Sequence, residues 1–169
     1  RGVTHKTEHG AVRLGLATPA AAHRAAIGLD GRLRRDGLDV TGFLVQEMIS
    51  GGVELLVGAM SHPTFGPIVV CGAGGTTAEL WGDVQVHLAP VGRHTAAAMV
   101  RGLRCSALLR GWRGAPRAKT GAVEDVVRRM AALVVDRPEI AEVECNPLLA
   151  TPLGAVAVDL RVRLEAPAS

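Results

Sequence analysis

Toward the end of the chain runs Glu144-Cys145-Asn146-Pro147-Leu148, and thirteen residues past the asparagine a lone acid, Asp159, interrupts the apolar run Ala155-Val156-Ala157-Val158-Asp159-Leu160. Alternate residues of a strand share a face, so Glu144 and Asn146 point the same way. Pro147 has no N–H to give a ladder, which predicts that it closes that strand. Thr151-Pro152-Leu153-Gly154 has the composition of a turn. It would return the chain through a second strand, with Val156, Val158 and Leu160 on one face and Asp159 on the other. Two strands paired in this way would bring an amide oxygen and one or two carboxylates together. A small all-oxygen set suits Mg²⁺ when phosphate oxygens and waters complete its octahedron. The same spacing also describes a hairpin with a polar, solvated face.

Three other groups could do chemistry. Gly72-Ala73-Gly74-Gly75-Thr76-Thr77 is a glycine-rich loop whose backbone N–H groups could form a nest for an anion. It lacks the Gly-Lys-Ser/Thr of a P-loop, and Thr77 stands where a dinucleotide fingerprint needs its third glycine. A plain tight turn has the same composition. Glu47 and Glu54 flank Ser50-Gly51-Gly52. Two acids so placed could accept from an adenine amino group and from ribose hydroxyls, or they could be ordinary charges on a hairpin. In Thr4-His5-Lys6-Thr7-Glu8 an imidazole sits among hydroxyls and opposite charges. Neutral imidazole is a capable nucleophile toward phosphorus or carbonyl carbon near neutral pH; an exposed surface histidine has the same surroundings. His9, His23, His62, His87 and His94 show no metal-ligand spacing.

The elements that must position these groups can be read from periodicity and punctuation. Val12–Leu16 alternates like a strand. Thr18-Pro19 reads as an N-cap with proline at the first helical position. Ala22, Ala26, Leu29 and Leu33 continue at helical spacing, weakened by Gly28 and Gly31. Phe43–Ile49 and Val53–Met60 read as strands, followed by a turn over 61–66 and a short buried strand, Ile68–Cys71. Val84–Leu88 is a further strand stopped by Pro90, and Thr95–Leu103 a short helix. A basic connection over 110–120 leads to the strongest helix, Ala122–Val135, with Val123, Val126, Val127, Met130, Leu133 and Val134 as its apolar stripe. Strands at Ile140–Cys145 and Ala155–Leu160 close the chain. Strands and helices mix without strict βαβ alternation, which predicts an α+β fold with a largely antiparallel sheet and packed helices.

Composition narrows the function. The chain has 169 residues, 48% of them hydrophobic, so it can bury a real core. Its aromatics are Phe43, Phe65, Trp81 and Trp112 alone, and its net charge of +3 is spread without a basic run. Base-stacking platforms and a basic stripe are both missing, which argues against nucleic acid as partner. Cys71, Cys105 and Cys145 are isolated, odd in number and without a CxxC. They read as reduced, buried thiols of a cytoplasmic protein. No apolar stretch is long enough to span a bilayer, and no signal-peptide pattern opens the chain. It starts at Arg1 without an initiator methionine, so a fragment is expected.

Taken in order, several stretches resemble the ATP-grasp region of the NDP-forming acyl-CoA synthetases. That group includes the ADP-forming acetyl-CoA synthetases and, more distantly, the β subunit of succinyl-CoA synthetase. The stretches are Thr4–Glu8 with Gly10, Val12–Leu16, Leu44–Ile49, Gly52–Gly58, Phe65–Val70, Gly72–Gly75, Gly82–Val84, Leu88–Pro90 and Pro138–Leu148. The resemblance implies an ATP-grasp fold, with residues 1–45 as the remainder of a first lobe, part of it missing, and 46–169 as the second lobe. It implies an acid–thiol ligase that links acyl-CoA thioester to ATP/ADP through acyl phosphate and phosphohistidine, the chain being inactive alone. It also implies Mg²⁺ held by Asn146 and Asp159 with Glu144 in support, adenine read by Glu47 and Met48, and ribose held by Glu54. Gly72, Gly74 and Gly75 would line the phosphates, and His5 would relay the phosphoryl group. The implied partner is a CoA-binding domain or subunit, fused or separate, in an oligomeric full protein.

Three departures stand out. No segment with a nucleotide-binding lysine precedes His5, Ala11 replaces a usual glycine, and His87 replaces a usual arginine, leaving a titrating charge for phosphate. A second reading is the non-ligating, synthetase-like regulatory region of a bacterial lysine acetyltransferase. Persistence of His5, Asn146 and Asp159 favours the ligase.

Overall fold

The computed structural model describes residues 10–75 and 82–165. His5 and its neighbours, and Thr76 and Thr77, lie outside the described residues. The chain divides into two compact units, Arg1–Ser50 and Gly51–Ser169.

In the first unit, helix α1 (Pro19–Arg35) starts where its cap chemistry predicts. Thr18 Oγ1 accepts the Ala21 N–H at 3.2 Å, and Pro19 occupies the first turn. Leu29 and Leu33, one turn apart, are buried. The strands expected at Val12–Leu16 and Phe43–Ile49 do not form; both segments lack strand or helix. Leu14, Leu44 and Val45 are 71, 82 and 78% exposed. Alternation predicts which face of a strand is apolar, but it does not supply the neighbour whose ladder makes a strand.

The second unit is a six-stranded sheet with helices packed on one face. Its strands are β1 (Val53–His62), β2 (Gly66–Ala73), β3 (Val84–Leu88), β4 (Ile140–Ala150), β5 (Ala155–Ala157) and β6 (Leu160–Leu164). The order is β3-β2-β1-β4-β5, with β6 also on β4, and every pairing is antiparallel. Among the described residues the unit also holds helices α2 (Arg93–Gly102), α3 (Ser106–Leu109) and α4 (Thr120–Asp136) and a 3-10 turn at Trp112–Gly114. On α4 the buried stripe is Val123, Val127, Met130, Ala131 and Val134. Leu133, expected on that stripe, lies at its edge and is 37% exposed.

The sheet's two faces differ in chemistry. Leu55, Val57, Ala59, Val69, Cys71, Val143 and Cys145 enter the core beneath the helices. Their alternates, among them Glu54, Gly58, Val70, Gly72, Glu142 and Glu144, take the opposite face. The three cysteines are free and buried. Burial, reinforced by neighbouring negative charge, pushes the Cys71 and Cys105 thiols up to about 12, which keeps them protonated and inert.

Pro147 does not end its strand. Leu55 pairs with Leu148 but Val57 with Cys145, so two steps along β1 match three along β4. Asn146-Pro147 forms the resulting bulge, a place where a residue without an N–H can sit inside a strand. The buried phase of β4 shifts there, from Cys145 to Leu148. The expected single strand Ala155–Leu160 is likewise broken: β5 stops at Ala157, and Val158 and Asp159 lie between it and β6. The turn before β5 is as the sequence predicts, with the Thr151 N–H reaching the Gly154 carbonyl at 2.8 Å.

One buried acid ties the helical layer to the sheet. Asp83, 4% exposed, takes the Arg104 N–H on Oδ1 at 2.7 Å and the Cys105 N–H on Oδ2 at 2.8 Å. Burial pushes this carboxyl up, but the N–H groups of Cys105 and Arg104 outweigh it and hold the group below its ordinary value of 3.8. Its contribution to stability is therefore complete above that value and is lost as pH falls through the lower, folded value. Asp83→Asn leaves one backbone N–H without an acceptor. The expected loss is about 1–3 kcal/mol of unfolding free energy at neutral pH, with a shallower decline of stability below about pH 4. Denaturant unfolding across pH measures both.

Candidate functional site

The oxygen-bearing residues of β4 meet those after β5 through the register. Cys145 pairs with Leu160 and Leu148 with Ala157, which sets Asn146 across from Asp159. The Asn146 N–H reaches the Asp159 carbonyl at 3.1 Å, and the Val158 N–H reaches the Pro147 carbonyl at 3.1 Å. Glu144 and Asn146 share a face as predicted, and Asn146 Nδ2 donates to Glu144 Oε1 at 3.2 Å. That bond commits the amide nitrogen as a donor, so Oδ1 is the atom of this side chain that can act as a ligand. Asn146 and Asp159 are exposed and Glu144 is half-buried. The Cys145 thiol, on the core side between them, registers both charges. Burial first, then the Asp159 carboxylate and more weakly Glu144, push it up against the opposing Val158 N–H.

This donor set contains oxygen alone. Among the described residues no three His, Cys, Asp or Glu side chains cluster closely enough to hold a metal by themselves. Two carboxylates and one amide could supply only part of a shell, the kind that suits Mg²⁺ when phosphate and water oxygens supply the remainder.

The glycine run meets β1 at Glu54. Gly72 and Ala73 still belong to β2, and Gly72 pairs with Leu56 and Val84, so the loop begins only at Gly74. The Gly74 N–H reaches the Glu54 carbonyl at 2.9 Å. A Cβ on Gly74 would stand 2.8 Å from the Glu54 carbonyl carbon and the Leu55 nitrogen. Gly75 has φ +85°, and a Cβ there would lie 3.1 Å from Glu54 Oε2. These glycines are required by close approach to β1, and they set an exposed carboxylate at the loop's mouth. Glu54 is four residues along β1 from Gly58, which pairs with Glu144, a separation of about 13 Å along the strand.

Glu47 and Met48 belong to the first unit, in the extended segment before Ser50, and both are exposed. His87 is placed differently from the expectation of a phosphate-facing charge. It pairs with the core residue Val69, so its side chain takes the helix face. There its Nδ1–H donates to the Leu88 carbonyl at 3.2 Å, and the ring borders an open groove with Gln85, His94, Thr95 and Met99. That face lies opposite Glu144. Sequence counting identified the residue but not its face, because parity depends on register. Asp83 was also missed as the buried tie between β3 and the α2–α3 turn. Its partners lie 21 and 22 residues away, beyond any local signal.

Comparison with known proteins decides the family. A model of the ATP-grasp domain matches residues 1–164. The chain belongs to the ATP-grasp family. It is 35% identical over 165 residues to Acetate--CoA ligase [ADP-forming] I of Archaeoglobus fulgidus, covering 96% of this chain and 24% of that protein. It is 31% identical over 164 residues to Acetate--CoA ligase [ADP-forming] I subunit beta of Pyrococcus furiosus, covering 96% of this chain and 71% of the subunit. The chain thus spans about a quarter of the first relative's length and about seven-tenths of the second's.

Solved structures agree. The dinucleotide-forming acetyl-coenzyme A synthetase 1 of Ca. Korarchaeum cryptofilum, in complex with coenzyme A and Mg-AMPPCP, matches with TM-score 0.86 and 33% identity, covering 97% of this chain and 72% of that one. Its complex with coenzyme A and Ca-AMPCP matches with TM-score 0.91 and 34% identity, covering 96% and 72%. The antiparallel sheet with helices on one face is thus the ATP-grasp fold. No helix among the described residues is long and apolar enough to cross a membrane.

The Gly74 contact generates a test. Gly74→Ala forces a methyl into the β1 backbone and is expected to lower unfolding free energy by about 1–3 kcal/mol. Gly28→Ala, in the open interior of α1, is expected to be neutral or slightly stabilising. Thermal and denaturant unfolding of the two variants separate these outcomes.

Proposed function

We propose that the chain is the nucleotide-binding part of an ADP-forming acyl-CoA synthetase, an acid–thiol ligase that couples thioester and ATP/ADP through acyl phosphate and phosphohistidine. The observation that carries this reading is the single antiparallel pair that gathers Asn146, Asp159 and Glu144 on the face away from the helices. Membership in the ATP-grasp family and likeness to acetate–CoA ligases support it. None of the relatives named above is an acetyltransferase, and no observation favours the regulatory alternative.

In this reading Asn146 Oδ1 and the Asp159 carboxylate hold Mg²⁺, with Glu144 orienting the amide. When bound, the ion neutralises charge on the nucleotide phosphates. Glu54 accepts hydrogen bonds from the ribose hydroxyls, and Gly74 and Gly75 fix its position against the loop. Glu47 accepts from the adenine amino group and Met48 lies against the ring. A His5 ring nitrogen takes a phosphoryl group, forming an N–P bond as the bond to the donor breaks, and then yields it to an ADP oxygen. The CoA site, and a second histidine that takes the phosphoryl group from acyl phosphate before His5 does, belong to a CoA-binding portion, fused or separate, of an oligomeric cytoplasmic enzyme. Its substrates are an organic acid, CoA and ATP, or the reverse set.

Two tests use the complete protein. Asp159→Asn is expected to lower ATP-dependent acyl-CoA formation by about two to three orders of magnitude, with the unfolding midpoint little changed because the residue is exposed. Undiminished turnover would remove Asp159 from the metal site. With labelled ATP and Mg²⁺, His5→Ala is expected to lose the acid-labile phosphate from this part of the protein. Label that persists there with turnover intact rejects the relay.

A further inference from the structure

The face that carries the oxygen cluster also carries a cation with no role so far. β6 pairs with β4 so that Arg161 is opposite Glu144 and Arg163 opposite Glu142. Directly opposed residues share a face, so both arginines project from the side that holds Glu144 and Asn146. Arg161 also follows Asp159 by two residues. The two arginines differ in commitment. Arg163 Nε meets Glu142 Oε2 at 3.2 Å, and its second nitrogen meets Glu165. The Arg161 side chain is exposed and forms no hydrogen bond or ion pair with another side chain among the described residues. Glu144, its cross-strand neighbour, is engaged with Asn146 instead. On the other side of Glu144 the row continues through Gly58, where a Cβ would stand 4.0 Å from Glu144 Cγ. The glycine leaves the cluster open on that flank, while Arg161 borders the other.

The geometry points to Arg161 as a phosphate-binding residue whose guanidinium donates to non-bridging oxygens of the terminal phosphate of ATP at the Glu144–Asn146–Asp159 cluster. This rests on the functional reading above. The charge balance supports it. A divalent ion is matched by the Glu144 and Asp159 carboxylates, so the negative charge of the triphosphate needs a further donor. A guanidinium fork fits phosphate oxygens in two-point geometry and stays charged at every working pH. Arg163 cannot serve in the same way, because two carboxylates already hold it.

Calorimetric titration of the complete protein with ATP plus Mg²⁺, and separately with AMP, tests the assignment in the unaltered protein, R161A, R161K and R163A. R161A is expected to bind ATP about ten- to a hundredfold more weakly, with AMP affinity unchanged. R161K is expected to recover part of the loss, and R163A to behave as the unaltered protein does. A merely structural role would weaken ATP and AMP together, and that result overturns the assignment, as does ATP affinity unmoved by R161A. If the unaltered protein takes up no ATP, the functional reading falls and the role of Arg161 with it. If it does take up ATP and R161A matches it, the Arg161 assignment alone falls.

Discussion

The register of β4 against β1 on one side and β5 and β6 on the other is the constraint on which the site depends. A strand alternates faces, so β4 without interruption would keep Glu144, Asn146 and Leu148 on one side. The bulge at Asn146-Pro147 divides the strand into two phases. Before it, Cys145 is buried and Glu144 faces out; after it, Leu148 and Ala150 are buried. The polar residues stay out of the core while the apolar ones on both sides enter it. A one-residue slip would reverse these roles, burying carboxylates at a cost no partner here offsets. The core that fixes the register, from Leu55 and Val57 to Val127 and Ala131, is thus the device that positions the oxygens.

The break at Val158–Asp159 serves the same geometry. β5 and β6 both lie along β4, and Asp159 occupies the interval between them, opposite the bulge. Backbone bonds still cross the interval, so Asp159 is anchored by its carbonyl. Glu54 follows a related rule at the far end of β1, where glycines substitute for side chains that the close backbone contact would exclude.

Much of this was legible in the sequence where the determinants are local. The Thr18-Pro19 start of α1, the apolar stripe of α4, the limits of β3 and the Thr151–Gly154 turn rest on contacts within a few residues. The pairing of Glu144 with Asn146 followed from strand parity alone. What escaped was set at long range. Proline reads as a strand end, and only the mismatch between β1 and β4 turns Pro147 into a bulge residue. Val12–Leu16 alternates well and Phe43–Ile49 is rich in apolar residues, but both lack strand geometry, because neither pattern carries information about a partner. The helix-side position of His87 and the burial of Asp83 depended on register and on partners some twenty residues away. Leu133 missed the buried stripe by part of a helical turn.

The Asn146 side-chain amide can itself report whether a metal sits beside it. The complete protein, labelled with ¹⁵N at asparagine and with the Asn146 side-chain amide assigned by its loss in Asn146→Ser, is titrated with Mn²⁺ in the presence of ATP. Paramagnetic broadening is expected to remove the Asn146 signal at stoichiometric metal, and excess Mg²⁺ to restore it. A signal that stays sharp while Mn²⁺ and ATP are bound would place the metal elsewhere and contradict the account.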